Sequence, residues 1–316
     1  MPRVPDEPLR ARIAAARAPS LAWAREWRSG PAVAELAERF AGVATLEAGE
    51  AAARALLGEV GWLDRLVSPM VRALRDDPLF EPPVKASRDA LRTGMVLFED
   101  AAAVVTASVL DAGAPAMRRL PPQLVVPGRV SHTRYLRGGG AWLHRWQADL
   151  PGRDWRAETA PPIVARGRVA LHDGDVVRHD GRQDAILVTG ATSDVVSVTV
   201  TLRIGAAAWM REYDRAAGTL LRTATLDEGA ARTGMLLTLL RESGRADAGE
   251  CFDAASRDPA FFLRWDAMCE WLALDAGAAW PRLVEMADDP HPEVRAAAKA
   301  TLALVAARRE AAACRD

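Results

Sequence analysis

Four of the chain's five histidines, His132, His144, His172 and His179, fall between residues 132 and 179, and Asp184 follows closely. Neutral imidazoles together with an ionised carboxylate are the ligands a divalent transition metal takes, so the first question is whether these side chains can share one ion. In the strand-like run VSHTRYLR, His132 alternates with Val130 and Arg134; in WLHRWQ, His144 shares a face with Trp142 and Trp146. If the two runs pair across Gly138-Gly139-Gly140, the imidazoles approach each other. His132, His144, His179 and Asp184 are therefore the candidate ligand set, with open positions for oxygen and substrate. Trp142 and Trp146 are the candidate substrate wall, joined by Tyr135 and Trp155, and Arg134 is a candidate anchor for a carboxylate. A second reading stays open: His172 and His179 lie in Asp-Gly turn sequences that face water, and tryptophans at strand spacing fill cores. No catalytic residue is identified. His291, between two prolines, reads as a surface turn residue.

The elements that would position these groups are legible in part. GPAVAELAERFAGV carries Val33, Leu36, Phe40 and Val43 at helical spacing, with Pro31 suited to a first turn and Gly42 to an end. Ser68-Pro69 reads as the cap and first turn of another helix, and DDPLFEPPVK ends the helical region. From about residue 86 short β-branched runs take over, GMVLFED and AAVVTASVL among them. The triple glycine reads as a turn rather than a phosphate cradle, because no helix follows it. In DVVSVTVTLRIG, Val196, Val198, Val200, Leu202 and Ile204 alternate with Ser197, Thr199, Thr201 and Arg203, which predicts one buried and one wetter face. With AILV and the turn TGATSD before it, this run predicts a hairpin over 185–204. WMREYDRAAGTLLRTATL predicts another about Ala217-Gly218, after which the pattern is helical.

The C-terminal third repeats itself. RDPAFFLRWDAMCEWL and DDPHPEVRAAAKATLA align at an offset of 31 residues, matching Asp258-Pro259 with Asp289-Pro290, Arg264 with Arg295, and Ala267 with Ala298. The second copy resembles the second helix of a HEAT repeat. That resemblance implies stacked helix pairs and a face for a protein partner, the alternative being a helical cap on the β region.

GGGAWLHRW, GRVALHDGDVVRHDGR, DAILV and SDVVSVTV give a rhythm of strand, Gly-Asp turn and strand, and over residues 90–206 the chain resembles the cupin superfamily of small β-barrels. The resemblance implies a divalent metal, iron favoured, held by histidines and an acid. Two positions depart from the family motifs: His144-Arg145-Trp146 replaces His-x-His, and Asp184 stands where the second motif carries its histidine. The implied activity is an iron-dependent oxygenase or hydroxylase acting on a peptide or protein substrate, with a small molecule or peptide in the barrel. The alternative is a non-catalytic cupin-like ligand-binding or protein-interaction module with a degenerate metal site.

Composition limits the classes. With 41 basic and 42 acidic residues the net charge is -1, which gives no bulk attraction to nucleic acid or anionic membrane. GxSxG, P-loop, HExxH and strand-associated GxGxxG motifs are absent, so no nucleotide cofactor is expected. Three cysteines without a CxxC pair fit a reducing compartment, and no apolar run reaches membrane-spanning length, so a cytoplasmic protein is expected. The predicted fold class is α+β: N-terminal helices over 1–85, a cupin-like antiparallel β-barrel or sandwich over 86–225, and a HEAT-like helical segment over 226–316.

Overall fold

The computed structural model describes residues 7–151 and 157–313. The chain divides into two compact units, Met1–Ala224 and Thr225–Asp316. Among the described residues no helix is long and apolar enough to cross a membrane.

Four helices open the first unit: α1 Glu7–Arg28, α2 Pro31–Phe40, α3 Leu46–Gly58 and α4 Gly61–Asp76. Pro31 occupies the first turn of α2, and the Thr45 hydroxyl accepts the Ala48 amide at the start of α3 (3.2 Å). The start expected at Ser68-Pro69 is corrected: α4 begins seven residues earlier and runs through Pro69. Trp62, Leu66 and Met70, all buried at four-residue spacing, explain this. Burying three such side chains yields roughly 1.5–3 kcal/mol each, which exceeds the ~3 kcal/mol a mid-helix proline costs.

Among the described residues twelve strands follow: β1 Lys85–Arg88, β2 Arg92–Glu99, β3 Ala103–Leu110, β4 Gln123–Val126, β5 Val130–Arg137, β6 Trp142–Gln147, β7 Val164–Ala170, β8 Val176–Asp180, β9 Asp184–Thr189, β10 Val195–Leu202, β11 Trp209–Asp214 and β12 Leu220–Thr225. They form a large sheet of order β1-β2-β3-β10-β5-β8 and two small ones, β7-β6-β9 and β12-β11-β4. The pairings are antiparallel, and among the described residues the sheets do not close into a barrel.

Two expected hairpins are corrected by this order. β5 and β6 lie in different sheets, as do β9 and β10. Each connection crosses from one sheet to the other instead of folding back beside its own strand. The triple glycine makes the first crossing, with Gly139 and Gly140 at φ +63° and +66°. The Gly139 carbonyl accepts the amides of Thr192 (2.8 Å) and Ser193 (3.3 Å), so the two crossings are fastened together. The β11–β12 pairing does follow the expected hairpin about Gly218.

The large sheet is two-faced in an unusual sense. Its apolar side, with Val105, Val130, Val198, Val200 and Leu202, packs against Leu36, Phe40, Leu56, Trp62 and Leu66 of the N-terminal helices. By alternation the other side carries Ser108, Ser131, Thr133, Ser197 and Thr199. A sandwich normally turns apolar side chains inward from both sheets. Here the helices have taken the apolar face, and hydroxyls face the opposing strands.

The second unit contains α5 Glu228–Glu242, α6 Gly249–Ala255, α7 Phe261–Leu274, α8 Ala276–Met286 and α9 Pro292–Ala313. The 31-residue repeat is reproduced bond by bond. Arg264 Nη1 donates to the carbonyls of Asp258 (2.9 Å) and Pro259 (3.1 Å), and Arg295 Nη1 does the same to Asp289 (2.6 Å) and Pro290 (2.9 Å). Arg264 additionally grips the Asp289 carboxylate through Nε (2.9 Å) and Nη2 (2.7 Å), linking the first copy to the second. His291 lies in the turn before α9, as expected, and is only partly exposed because its ring stacks on Phe261 with centroids 3.5 Å apart.

Candidate functional site

The four residues read from sequence as one ligand set occupy three places. On β5 and β8 the register pairs His132 with Arg178 and Ser131 with His179, so the two histidines project from opposite faces of the large sheet. His132 is buried on the helix side, its Nε2 without a hydrogen-bond partner and 3.7 Å from Glu50 Oε2 of α3. Arg178 donates to both Glu50 oxygens, from Nη2 to Oε1 (2.7 Å) and from Nε to Oε1 (3.1 Å) and Oε2 (3.2 Å), and it also reaches Asp180, which Arg182 holds in turn. His132 thus belongs to the joint between helix and sheet. His144 sits in the small sheet, hydrogen-bonded through Nε2 to Thr189 Oγ1 (2.9 Å) and stacked near Trp146. Its face is opposite to that of Asp184, which pairs with Gln147.

Only His179 and Asp184 meet, and they do so through the backbone: His179 Nε2 donates to the Asp184 carbonyl at 2.9 Å, leaving Nδ1 as the ring's acceptor. Among the described residues no three His, Cys, Asp or Glu side chains converge as a metal set. The residues present therefore do not fit the four-ligand iron centre.

The candidate substrate residues are also reassigned. Arg134 Nη1 donates to the carbonyls of Leu57 (2.7 Å) and Gly58 (3.2 Å), satisfying the open C-terminal end of α3. Trp146 is buried in a cluster with Leu124, Val126, Ala185 and Tyr213. Trp142 is 38% exposed, with the Arg168 guanidinium 4.3 Å over its ring. Trp155 lies outside the described residues.

What the fold does assemble is the inner, hydroxyl-bearing face of the large sheet. Ser108 and Ser197 hydroxyls meet at 3.1 Å, and those of Thr133 and Thr199 at 2.9 Å. Ser131 and His179 share this face on one flank, and Tyr135 continues it toward an apolar end formed with Leu143, Leu171 and Val195. Thr106, Thr199 and Thr201 are partly exposed, so solvent reaches the other end. From the facing sheet, Arg145 and Asp184 project from the same side of β6 and β9 as Leu143 and Ile186. Burial pushes the Asp184 carboxyl above its ordinary range, and burial holds His179 below the ordinary histidine value despite the neighbouring acids. Burial likewise drives the Tyr135 phenol up to about 12, against the pull of Arg145. The result is a neutral imidazole, an un-ionised phenol and an exposed guanidinium beside a row of hydroxyls. This set can donate to and accept from a polar ligand and neutralise one negative charge.

Arg145 and the serine and threonine row are absent from the sequence-derived site. The signal was present in the polar half of SVTVT, but its meaning depended on which face the helices would cover.

His179 and His132 make stability pH-dependent. Burial lowers both in the folded state, so protons bind more readily to the unfolded chain as pH falls. Their contribution is complete above the ordinary histidine value of 6.5 and is lost as pH drops through the lower folded values. Urea midpoints at pH 7.5, 6.5 and 5.5 should fall most steeply below 6.5, and His132→Phe should flatten the curve. A midpoint that rises on acidification would contradict this assignment.

No family model matches the chain, and no curated protein does. Among solved structures, it is similar to a sugar phosphate isomerase from a cupin superfamily of Silicibacter pomeroyi, at 13% identity and a TM-score of 0.25, over 45% of this chain and 87% of that one. It is also similar to the ectoine synthase of P. lautus, at 10% identity and a TM-score of 0.24, over 45% and 85%. A cupin-2 domain of Rhodospirillum rubrum shows 11% identity and a TM-score of 0.26, over 47% and 78%.

Proposed function

We propose that the β region is a cupin-like module that binds a small hydroxylated anion on the inner face of its large sheet, without a metal held by His132, His144, His179 and Asp184. The observation that supports this most directly is the inversion of the sheet: its apolar side is spent on the helices and its serine and threonine side faces the opposing strands. A face of hydroxyls left between two sheets is poor core material, because burying polar groups costs desolvation even where they bond to one another, as Ser108 does to Ser197 and Thr133 to Thr199. As a ligand surface the same face is well suited, since each hydroxyl both donates and accepts. Arg145 is the natural anchor for a carboxylate or phosphate. Whether the module goes on to transform its ligand depends on His179, whose Nδ1 is a neutral base on this face.

The test is calorimetric titration with hydroxylated carboxylates, gluconate and malate, and with a simple sugar phosphate, in the presence of EDTA. Binding should survive the chelator, weaken at least about tenfold in Arg145→Ala, and weaken comparably in the Thr133→Val, Thr199→Val double variant. Binding by none of the three probes would sink the reading, as would binding that EDTA abolishes or that Arg145→Ala leaves untouched.

A further inference from the structure

We infer that the outward face of α5 is a self-association surface, pairing antiparallel with α5 of a second copy of this chain. This proposal is independent of the ligand site. The inward side of α5 is accounted for: Ala230, Leu237 and Leu240 enter the helical core, and Arg241 and Thr238 bind Glu270 of α7. The opposite side is apolar as well, with Met235, Leu236 and Leu239 exposed at 69%, 53% and 60%. A helix that is apolar on two sides has a second surface to bury.

The residues around this patch specify the occupant. Arg232, Met235, Leu239 and Glu242 are spaced by three, four and three positions, the repeat of a single seam between two packed helices. In an antiparallel pair, the same two-fold axis that sets Met235 against Leu239 of the second copy sets Arg232 against Glu242 of the second copy. The interface is therefore self-complementary, with an apolar centre and an ion pair at each end. A parallel pair would oppose Arg232 to Arg232 and Glu242 to Glu242, which costs free energy at both ends. Both side chains can be reached: Arg232 is exposed, and the Glu242 side chain is 65% exposed although its Oε1 already accepts from Arg241 Nη2 of its own helix (2.6 Å), so Arg232 of the second copy would extend that ion pair.

The experiment is sedimentation equilibrium of the full chain from about 1 to 200 µM, with circular dichroism to confirm helix content. The wild type should dimerise. Leu239→Glu should raise the dissociation constant at least about a hundredfold, and Arg232→Glu or Glu242→Arg alone about tenfold. Combining Arg232→Glu with Glu242→Arg restores opposite charges at each end, so dimerisation should return to within about threefold of wild type. A chain monomeric throughout this range overturns the proposal. So does a dimer indifferent to Leu239→Glu, or a charge-swapped double variant no better than the single ones.

Discussion

Replacing Arg264 by alanine is expected to destabilise the C-terminal helical unit by about 3–5 kcal/mol, the cost of breaking a buried ion pair from one side. Arg264 makes four hydrogen bonds, two to the carbonyls of its own Asp-Pro turn and two to the carboxylate of Asp289 in the next copy. Its side chain is 10% exposed and that of Asp289 only 3%. Without the guanidinium, Asp289 retains the His291 amide and the more distant charge of Arg282 but loses its hydrogen-bonded cation, and two turn carbonyls lose a donor. Burial alone would push the Asp289 carboxyl up; Arg264 and the His291 amide more than offset it and hold the group below the usual aspartate range. The stabilisation is therefore complete above that range and is lost as pH falls through the lowered folded value. In urea unfolding at pH 7 the variant should lose stability in the helical unit, and its loss should shrink at pH 3. Arg295→Ala is the matched control. Arg295 binds only the carbonyls of its own turn, so its removal should cost about 1–2 kcal/mol. Equal losses for the two variants would refute the role given to the Arg264–Asp289 pair.

Gly139→Ala is the second substitution with a large expected effect, this time in the β unit. A Cβ at this position would stand 2.3 Å from the Ser193 carbonyl oxygen and 3.1 Å from Val195 Cγ2, at a backbone φ of +63°. The left-handed conformation alone costs an alanine about 1–2 kcal/mol. The carbonyl cannot retreat cheaply, because the Gly139 carbonyl binds the amides of Thr192 and Ser193 in that same segment. The total should reach at least about 3 kcal/mol. Gly174 separates the two contributions: it also has positive φ, +88°, but nothing lies within 4 Å of the Cβ position. Gly174→Ala should therefore show only the conformational cost of about 1–2 kcal/mol. If thermal or urea unfolding gives the two variants the same loss, the close approach of the two crossings is not what holds the sheets in place.

These two sites mark how far local sequence carried the architecture. The repeat of Asp-Pro and Arg at an offset of 31 is legible in the sequence, and the structure attaches the same bonds to both copies. The triple glycine was visible as a turn, yet whether it folds β6 back on β5 or carries it to another sheet depends on contacts with residues 192 and 193, which lie some fifty positions away. The metal proposal depended on that distinction. Had β5 and β6 paired, His132 and His144 would have been neighbours; because the chain crosses over, they lie in separate sheets.

By itself the sequence determined the order of elements: helices first, β-branched strands of period two in the middle, and a helical duplication at the end. It also determined that SVTVT would have one apolar and one hydroxyl face, since side-chain alternation is a property of the extended backbone. Tertiary structure alone decided which strands are neighbours and which face meets which partner. Strand pairing is a long-range choice, and a shift of one residue exchanges the two faces. Here that choice turned His132 toward Glu50 and the helices, turned His179 toward Arg145 and Asp184, and left a row of serines and threonines on the opposite face of the sheet, the face we propose for a ligand.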